Sequence, residues 1–132
     1  MGRLCGGHMQ NDILRREADR LRHVSETCIQ QGDYLTAYQL LKMVVEIEER
    51  DVGADKTALA SDYHQLGWIC FSLNGMHEAQ QYLQQALDLR LVSSTQSASD
   101  TQKTAELLNQ VTSKLGLPKP VSGTGFGFEA QR

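Results

Sequence analysis

The sequence lacks the features that would assign it to a membrane, nucleic-acid-binding or β-sheet protein. It has no run of about 18 apolar residues, the length that predicts a transmembrane helix. Its formal net charge is −3, whereas nucleic-acid binding favours a basic surface. Proline occurs only as Pro118 and Pro120, where it predicts the end of helical structure. What remains, 40% hydrophobic and 22% charged residues, is the composition of an ordinary soluble protein.

The chain also lacks a clustered set of residues for catalysis or metal binding. Its three cysteines are an odd number without a secretory signal, which predicts free thiols in a reducing compartment and hence a cytoplasmic location. Cys5 and His8 form an isolated pair, and a zinc site needs two further ligands. We therefore expect no cofactor, no metal ion and no enzymatic activity.

What the chain does have is an internal repeat, centred on Cys28 and Cys70. Self-similarity at a period of about 20–50 residues is typical of stacked structural units. Because the two cysteines occupy matching positions, packing explains both thiols better than catalysis does. At an offset of 42 residues, the matching pairs are Ala18 and Ala60, Val24 and Leu66, Cys28 and Cys70, Ala37 and Ala79, Leu41 and Leu83, and Ile47 and Leu89.

Apolar residues spaced by three, four and seven predict five helices. Gly32 and the dipeptide Asn74-Gly75 predict the turns that close two helical hairpins. The predicted organisation is a flexible leader at 1–10, a helical domain at 11–116 with repeats at about 18–51 and 60–93 and a cap helix at about 100–115, and a disordered tail at 117–132. The inward face of the first helix is predicted to hold Ile13, Leu14, Leu21, Val24, Cys28 and Ile29, and that of the fifth Ala105, Leu108, Val111 and Leu115.

The second copy carries the clearer motif. Its large and small residues alternate as Tyr63, Leu66-Gly67, Cys70, Ala79, Leu83 and Ala86. This pattern resembles the tetratricopeptide repeat, a helix–turn–helix unit in which Gly67 and Ala79 let paired helices approach. The 42-residue offset is similar to the extended repeat of kinesin light chains and related adaptors. Their groove asparagines are replaced here by His64 and Gln65, so no cargo preference is transferred.

The resemblance implies an all-α fold, an α-α superhelix (a solenoid) of two helical hairpins plus a C-terminal capping helix. It also implies a protein-interaction module or adaptor that receives a peptide or helix of a partner protein in a concave groove. The alternative is a self-associating structural module or a fragment of a longer scaffold of the same repeat. A protein or peptide partner is expected, with no nucleic acid and no membrane, and a homo-oligomer stays open.

The groove positions that the resemblance implies lie on the first helix of each unit. Two of them, Trp68 and Phe71, are large aromatic residues. They are either exposed in the groove, where a partner would cover them, or fill gaps in the core. A clamp for a partner's terminal carboxylate is disfavoured, because Glu26 would repel that group. The predicted partner-binding residues are Arg22, Glu26, Ile29, His64, Trp68, Phe71, Lys103 and Glu106.

Overall fold

The computed structural model describes residues 2–51, 56–93 and 97–116, with side chains from residue 12 onward. Within these ranges the chain forms five α-helices and no strand, so the predicted all-α class is confirmed. The disordered tail predicted at 117–132 lies outside the described residues. The helices are α1 (Gly2–Gln30), α2 (Tyr34–Arg50), α3 (Lys56–Ser72), α4 (Met76–Val92) and α5 (Ala98–Leu115).

The two hairpins, α1–α2 and α3–α4, close with the same turn. In the first, Gly32 has a left-handed φ of 80°, and Asp33 donates its N–H to the carbonyl of Cys28 at 2.8 Å. In the second, Asn74 has a left-handed φ of 71°, and the next residue donates to the carbonyl of Cys70 at 2.7 Å. Such bonds satisfy carbonyls that the helix end leaves unpaired. The repeat therefore extends to the hydrogen bonds of its turns.

Side-chain caps place two of the helix starts. Asp33 accepts the backbone N–H of Thr36 at 3.3 Å and begins α2. Ser97 accepts the N–H of Asp100 at 3.3 Å, and α5 consequently begins at Ala98 instead of near Asp100. A short polar side chain before the first turn satisfies donors that have no partner within the helix.

The first helix begins earlier than the sequence indicates. It starts at Gly2, whereas the glycine-rich segment before Asn11 predicts irregular backbone. Extending an existing helix adds one hydrogen bond per residue fixed and avoids the cost of nucleation, which accounts for this correction. The flexibility expected of residues 1–10 stays a prediction.

The core runs along the array through α3. One cluster joins α2, α3 and α4, a second joins α3, α4 and α5, and a third joins α1 to α2. The buried residues of the first are Ala37, Leu41, Val45, Leu59, Tyr63, Leu66, Ile69 and Ala86; of the second, Cys70, Ala79, Leu83, Leu108 and Val111; and of the third, Ala18, Leu21 and Val44.

The predicted inward face of α1 is partly wrong. Ile13, Leu14 and Val24 are exposed, Val24 at 44%, while its repeat mate Leu66 is fully buried at 0%. Among the described helices the backbone of α1 lies close to that of α2 alone and reaches α3 only through side chains such as Arg22, whereas the backbone of α3 lies close to α2, α4 and α5. The same position in the repeat is therefore buried in one copy and exposed in the other.

The inward face of α5 also differs from the prediction. Ala105 and Leu115 are only half-buried, and Thr104 and Thr112 are buried in their place. Thr112 Oγ1 donates to the carbonyl of Leu108 at 2.8 Å. A hydroxyl that bonds a carbonyl of its own helix can be buried without an unsatisfied group.

Candidate functional site

A cavity of about 350 Å³ opens between α1, α3 and α5. Four of the predicted groove residues line it: Arg22 and Glu26 from α1, His64 from α3, and Lys103 from α5. Arg22 and His64 hold the same position in successive repeats, so stacking of the hairpins places them beside one cavity. The fold thus brings together four of the five polar residues of the predicted groove.

Two further predicted residues, Ile29 and Trp68, lie outside the cavity lining. Both are half-buried and pack against the core cluster of α2, α3 and α4. The indole of Trp68 meets the ring of Tyr34 edge-on, with centroids 5.4 Å apart and an interplanar angle of 89°. Edge-to-face contact is a favourable aromatic arrangement. Trp68 therefore fills a gap in the core and also keeps part of its surface accessible.

The remaining predicted residues, Phe71 and Glu106, are also separate from the cavity. Phe71 is half-buried against the core cluster of α3, α4 and α5, and the amine of Lys114 lies 6.0 Å from its ring centroid. Glu106 is exposed and accepts a hydrogen bond from Gln102 at 3.0 Å. The candidate groove consequently has a polar cavity and, along α3, a more apolar continuation.

Arg22 is held by carboxylates of its own chain. Its guanidinium lies 2.6 Å from Asp19, 2.6 Å from Glu48 and 2.8 Å from Asp62. The hydrogen bond to Asp62 is the main reason that the pKa of Arg22 is raised. Because these carboxylates offset its charge, Arg22 contributes less positive potential to the cavity than its position suggests.

Glu48 is the unusual member of this network. Its Oε1 atom is buried without a hydrogen-bond partner among the described residues. Burial raises the pKa of Glu48, and the neighbouring carboxyl of Asp62 raises it further, against the opposite effect of Arg22. A carboxyl in these surroundings favours its neutral form.

His64 is neutral in this site. Its Nδ1 lies 2.9 Å from Thr104 Oγ1. Burial lowers the pKa of His64 to about 4, and the nearby cations Arg90 and Lys103 act in the same direction. The imidazole therefore offers a hydrogen bond to a ligand and no positive charge.

Arg90 is a cavity residue that the sequence analysis did not select. It extends from α4 beneath the cavity, and its side chain is only 7% exposed. Its Nη1 donates to the backbone carbonyl of Asp100 at 2.9 Å and to Thr104 Oγ1 at 2.5 Å, and its Nη2 donates to Ser61 Oγ at 3.3 Å. Burial lowers the pKa of Arg90.

A sequence signal for these buried charges exists. Asp62 falls between Leu59 and Tyr63, within the buried stretch of α3. Arg90 lies four residues after Ala86, on the spacing that the buried residues of α4 follow. A charge on a buried helix face needs polar partners, so both positions predict a polar network beneath the groove.

Neither a metal-ligand group nor a membrane-spanning helix is found among the described residues. Within those ranges, no group of three or more His, Cys, Asp and Glu side chains is placed to hold a metal ion. None of the helices there is both long and apolar enough to cross a membrane.

The sequence matches a known protein family. A family model described as "Tetratricopeptide repeat" matches residues 18–91, which is more than half of the chain and runs from the middle of α1 to the last turn of α4. The search of curated proteins finds no match.

Proposed function

The chain belongs to the tetratricopeptide repeat family, and from that membership we propose that it is a non-enzymatic protein-interaction module or adaptor. Repeats of this family generally mediate protein–protein interaction. The groove of α1, α3 and α5 receives an extended peptide or a helix of the partner. The observation that carries this proposal is the convergence of Arg22, His64 and Lys103, from three separate helices, on one cavity.

Trp68 is the proposed main contributor to affinity. Aromatic side chains that are half-buried before binding lose little conformational freedom on binding and often dominate interface energies. Ile29 and Phe71 extend the apolar part of the groove, while Glu26, Lys103 and Glu106 set its polarity. A protein or peptide is the proposed partner class, since a net charge of −3 disfavours nucleic acid.

The test uses Trp68 as its own reporter, because it is the only tryptophan of the chain. A partner captured by affinity pull-down is purified and titrated into the protein while indole emission and acrylamide quenching are recorded. We expect a saturable blue shift and reduced quenching. We also expect Trp68→Ala to weaken partner binding by at least about tenfold.

Leu73→Ala is the matched control. Leu73 is an exposed apolar residue near the end of the same helix, and its loss should leave partner affinity unchanged. Far-UV circular dichroism of both variants checks the fold. A partner that binds without altering Trp68 emission contradicts the groove proposal, and so does a Trp68→Ala variant that stays folded and binds at full strength.

We also propose that the repeat is of the extended type. Its support is the 42-residue offset between equivalent residues and the 17-residue length of α2. A cytoplasmic location is proposed with it, because Cys28 and Cys70 are free thiols, as a reducing compartment favours.

Self-association is the second candidate function. The observation that favours it is the exposure of Ile13, Leu14 and Val24 on α1. In an array, the outer face of a terminal helix is the surface on which the next unit stacks. A second copy of the chain or a further repeat would cover these side chains.

A further inference from the structure

Arg90 differs from Arg22, the half-buried arginine of the same cavity, in how its charge is balanced. Arg22 lies within 2.8 Å of three carboxyl groups, those of Asp19, Glu48 and Asp62. In the described part of the chain no carboxylate forms an ion pair with Arg90, and its acceptors are two hydroxyls and a backbone carbonyl. Buried charges in proteins are normally paired. Arg90 thus has no direct ion-pair partner among the described residues, and the Asp100 carboxylate attracts it only from a longer distance.

The guanidinium of Arg90 also has one unsaturated edge. Among the described residues its Nε is buried without a hydrogen-bond partner, and the one bond that Nη2 makes there is a long one, 3.3 Å, to Ser61 Oγ. Nε and Nη2 together form the side of a guanidinium that binds a carboxylate through two parallel hydrogen bonds. Ser61 is exposed, and Ser61 and Arg90 both line the cavity.

The surroundings of this edge complete an anion-binding site. Lys103 lines the same cavity from α5 and is exposed, which leaves its amine able to reach an entering anion. His64 adds a neutral imidazole, and Ser61 a hydroxyl. Three carboxylates, those of Glu26, Asp62 and Asp100, also line the cavity and limit the charge that it accepts; Asp62 is paired with Arg22.

We propose that the Nε–Nη2 edge of Arg90, with Lys103, Ser61 and His64, binds the side-chain carboxylate of an acidic residue of the partner segment. This inference rests on the proposed function of the groove and names the chemistry of its partner. A carboxylate fits better than a phosphate, because its single charge is repelled less by Glu26 and Asp100. Arginine pairs with carboxylates bidentately, which adds geometric specificity.

The first experiment needs neither a partner nor a variant. The Nε–Hε resonance of Arg90 in the ¹⁵N-labelled protein, assigned through bonds, is followed during titration with N-acetylglutamic acid α-amide, which carries one carboxylate. We expect a saturable shift with a dissociation constant of roughly 1–10 mM. The uncharged N-acetylglutamine α-amide should cause none. Equal shifts with both compounds, or no saturable shift, would overturn the site.

Inorganic phosphate is the second probe. It should bind Arg90 more weakly than the carboxylate does, and tighter phosphate binding would overturn the assignment to a carboxylate. Lys103→Gln, a substitution at an exposed position, should lower the affinity for the carboxylate probe two- to threefold, roughly the effect of one exposed charge. An unchanged affinity would remove Lys103 from the site.

The final experiment tests whether the purified partner binds through the Arg90 site. Arg90→Lys keeps the positive charge but loses the two-donor edge. We therefore expect it to lower the affinity for the purified partner by about tenfold. Arg50→Lys, at an exposed position of α2, should have no effect. If the partner still shifts Trp68 emission at full affinity in folded Arg90→Lys, the groove function stands and the carboxylate site is overturned. If Trp68 emission of the wild-type protein does not change when the partner binds, the proposed groove function is wrong. The anion titration still decides whether Arg90 binds carboxylates.

Discussion

At the residue scale, one arginine shared by two carboxyl groups sets the pH response of the fold. Glu48 and Asp62 lie 2.6 and 2.8 Å from the same Nη2 atom of Arg22, and the pKa of Glu48 is raised, chiefly by burial. The folded protein therefore binds this proton more tightly than the unfolded chain does. The stabilising contribution of Glu48 is full below its ordinary pKa of 4.5 and is lost as pH rises above that value.

We expect Glu48→Gln, which resembles the protonated carboxyl, to gain stability relative to wild type as the pH rises from about 5 to about 8. The difference in the free energy of unfolding should change by about 1–2 kcal/mol, the order of magnitude for one displaced titration. Urea denaturation followed by circular dichroism at several pH values measures it.

The control is Glu46→Gln, at an exposed position of the same helix, whose difference from wild type should stay flat with pH. His64 acts in the opposite sense: its pKa of about 4, against an ordinary 6.5, makes stability fall as pH drops through that interval. This effect is common to both proteins and cancels in the difference. A Glu48→Gln difference that is constant or shrinks with rising pH contradicts the raised pKa.

At the scale of the helices, α3 and α4 approach so closely at Gly67 that no side chain fits there. A Cβ added at Gly67 would lie 2.5 Å from Leu83 Cγ and 2.7 Å from Leu83 Cδ2, and Leu83 is fully buried. Ala79 is likewise completely buried in this interface. The close approach that the sequence assigns to Gly67 and Ala79 is confirmed.

Gly67→Ala should lower the free energy of unfolding by about 1–3 kcal/mol, because overpacking displaces Leu83. The gain in helix propensity, about 1 kcal/mol, offsets only part of this. Urea denaturation gives the value. In the double variant Gly67→Ala/Leu83→Ala the added methyl group has room. Its loss in the free energy of unfolding should therefore be smaller than the sum of the losses in the two single variants. Additive costs would contradict direct contact as the cause, and Gln81→Ala, at an exposed position of α4, serves as a neutral control.

At the scale of the whole molecule, the array has a well-covered centre and a first helix with an open outer side. Ile13 and Val24 are 58% and 44% exposed, and their 11-residue separation is about three helical turns, which puts them on the same face. Arrays of few repeats bury little surface at their ends. An uncovered apolar face of this kind favours association.

We expect the molar mass from light scattering to rise with protein concentration. Ile13→Ser combined with Val24→Ser should abolish the rise, because it removes the apolar surface that association would bury. Arg16→Ser, at an exposed polar position of α1, is the control. A mass that stays monomeric at all concentrations contradicts self-association and leaves partner binding as the sole proposed function.

The fold was predictable from sequence because its determinants are local. The spacing of apolar residues, the left-handed position of Gly32 and the cap at Asp33 each act within a few residues of chain. The internal repeat at an offset of 42 residues then predicts that two such hairpins stack. The start of α1 and the burial of Thr104 escaped prediction, because each depends on what a segment packs against or extends from.

The candidate site was also predictable only in part. The repeat alone placed Arg22 and His64 at equivalent groove positions, and the structure sets both beside one cavity. Only the tertiary structure decided that Arg22 lies against three carboxyl groups of its own chain, whereas Arg90, on the second helix of a hairpin, lies beneath the groove without a direct ion pair among the described residues. Charge balance depends on distances between residues far apart in sequence, and those distances exist only once the helices have packed.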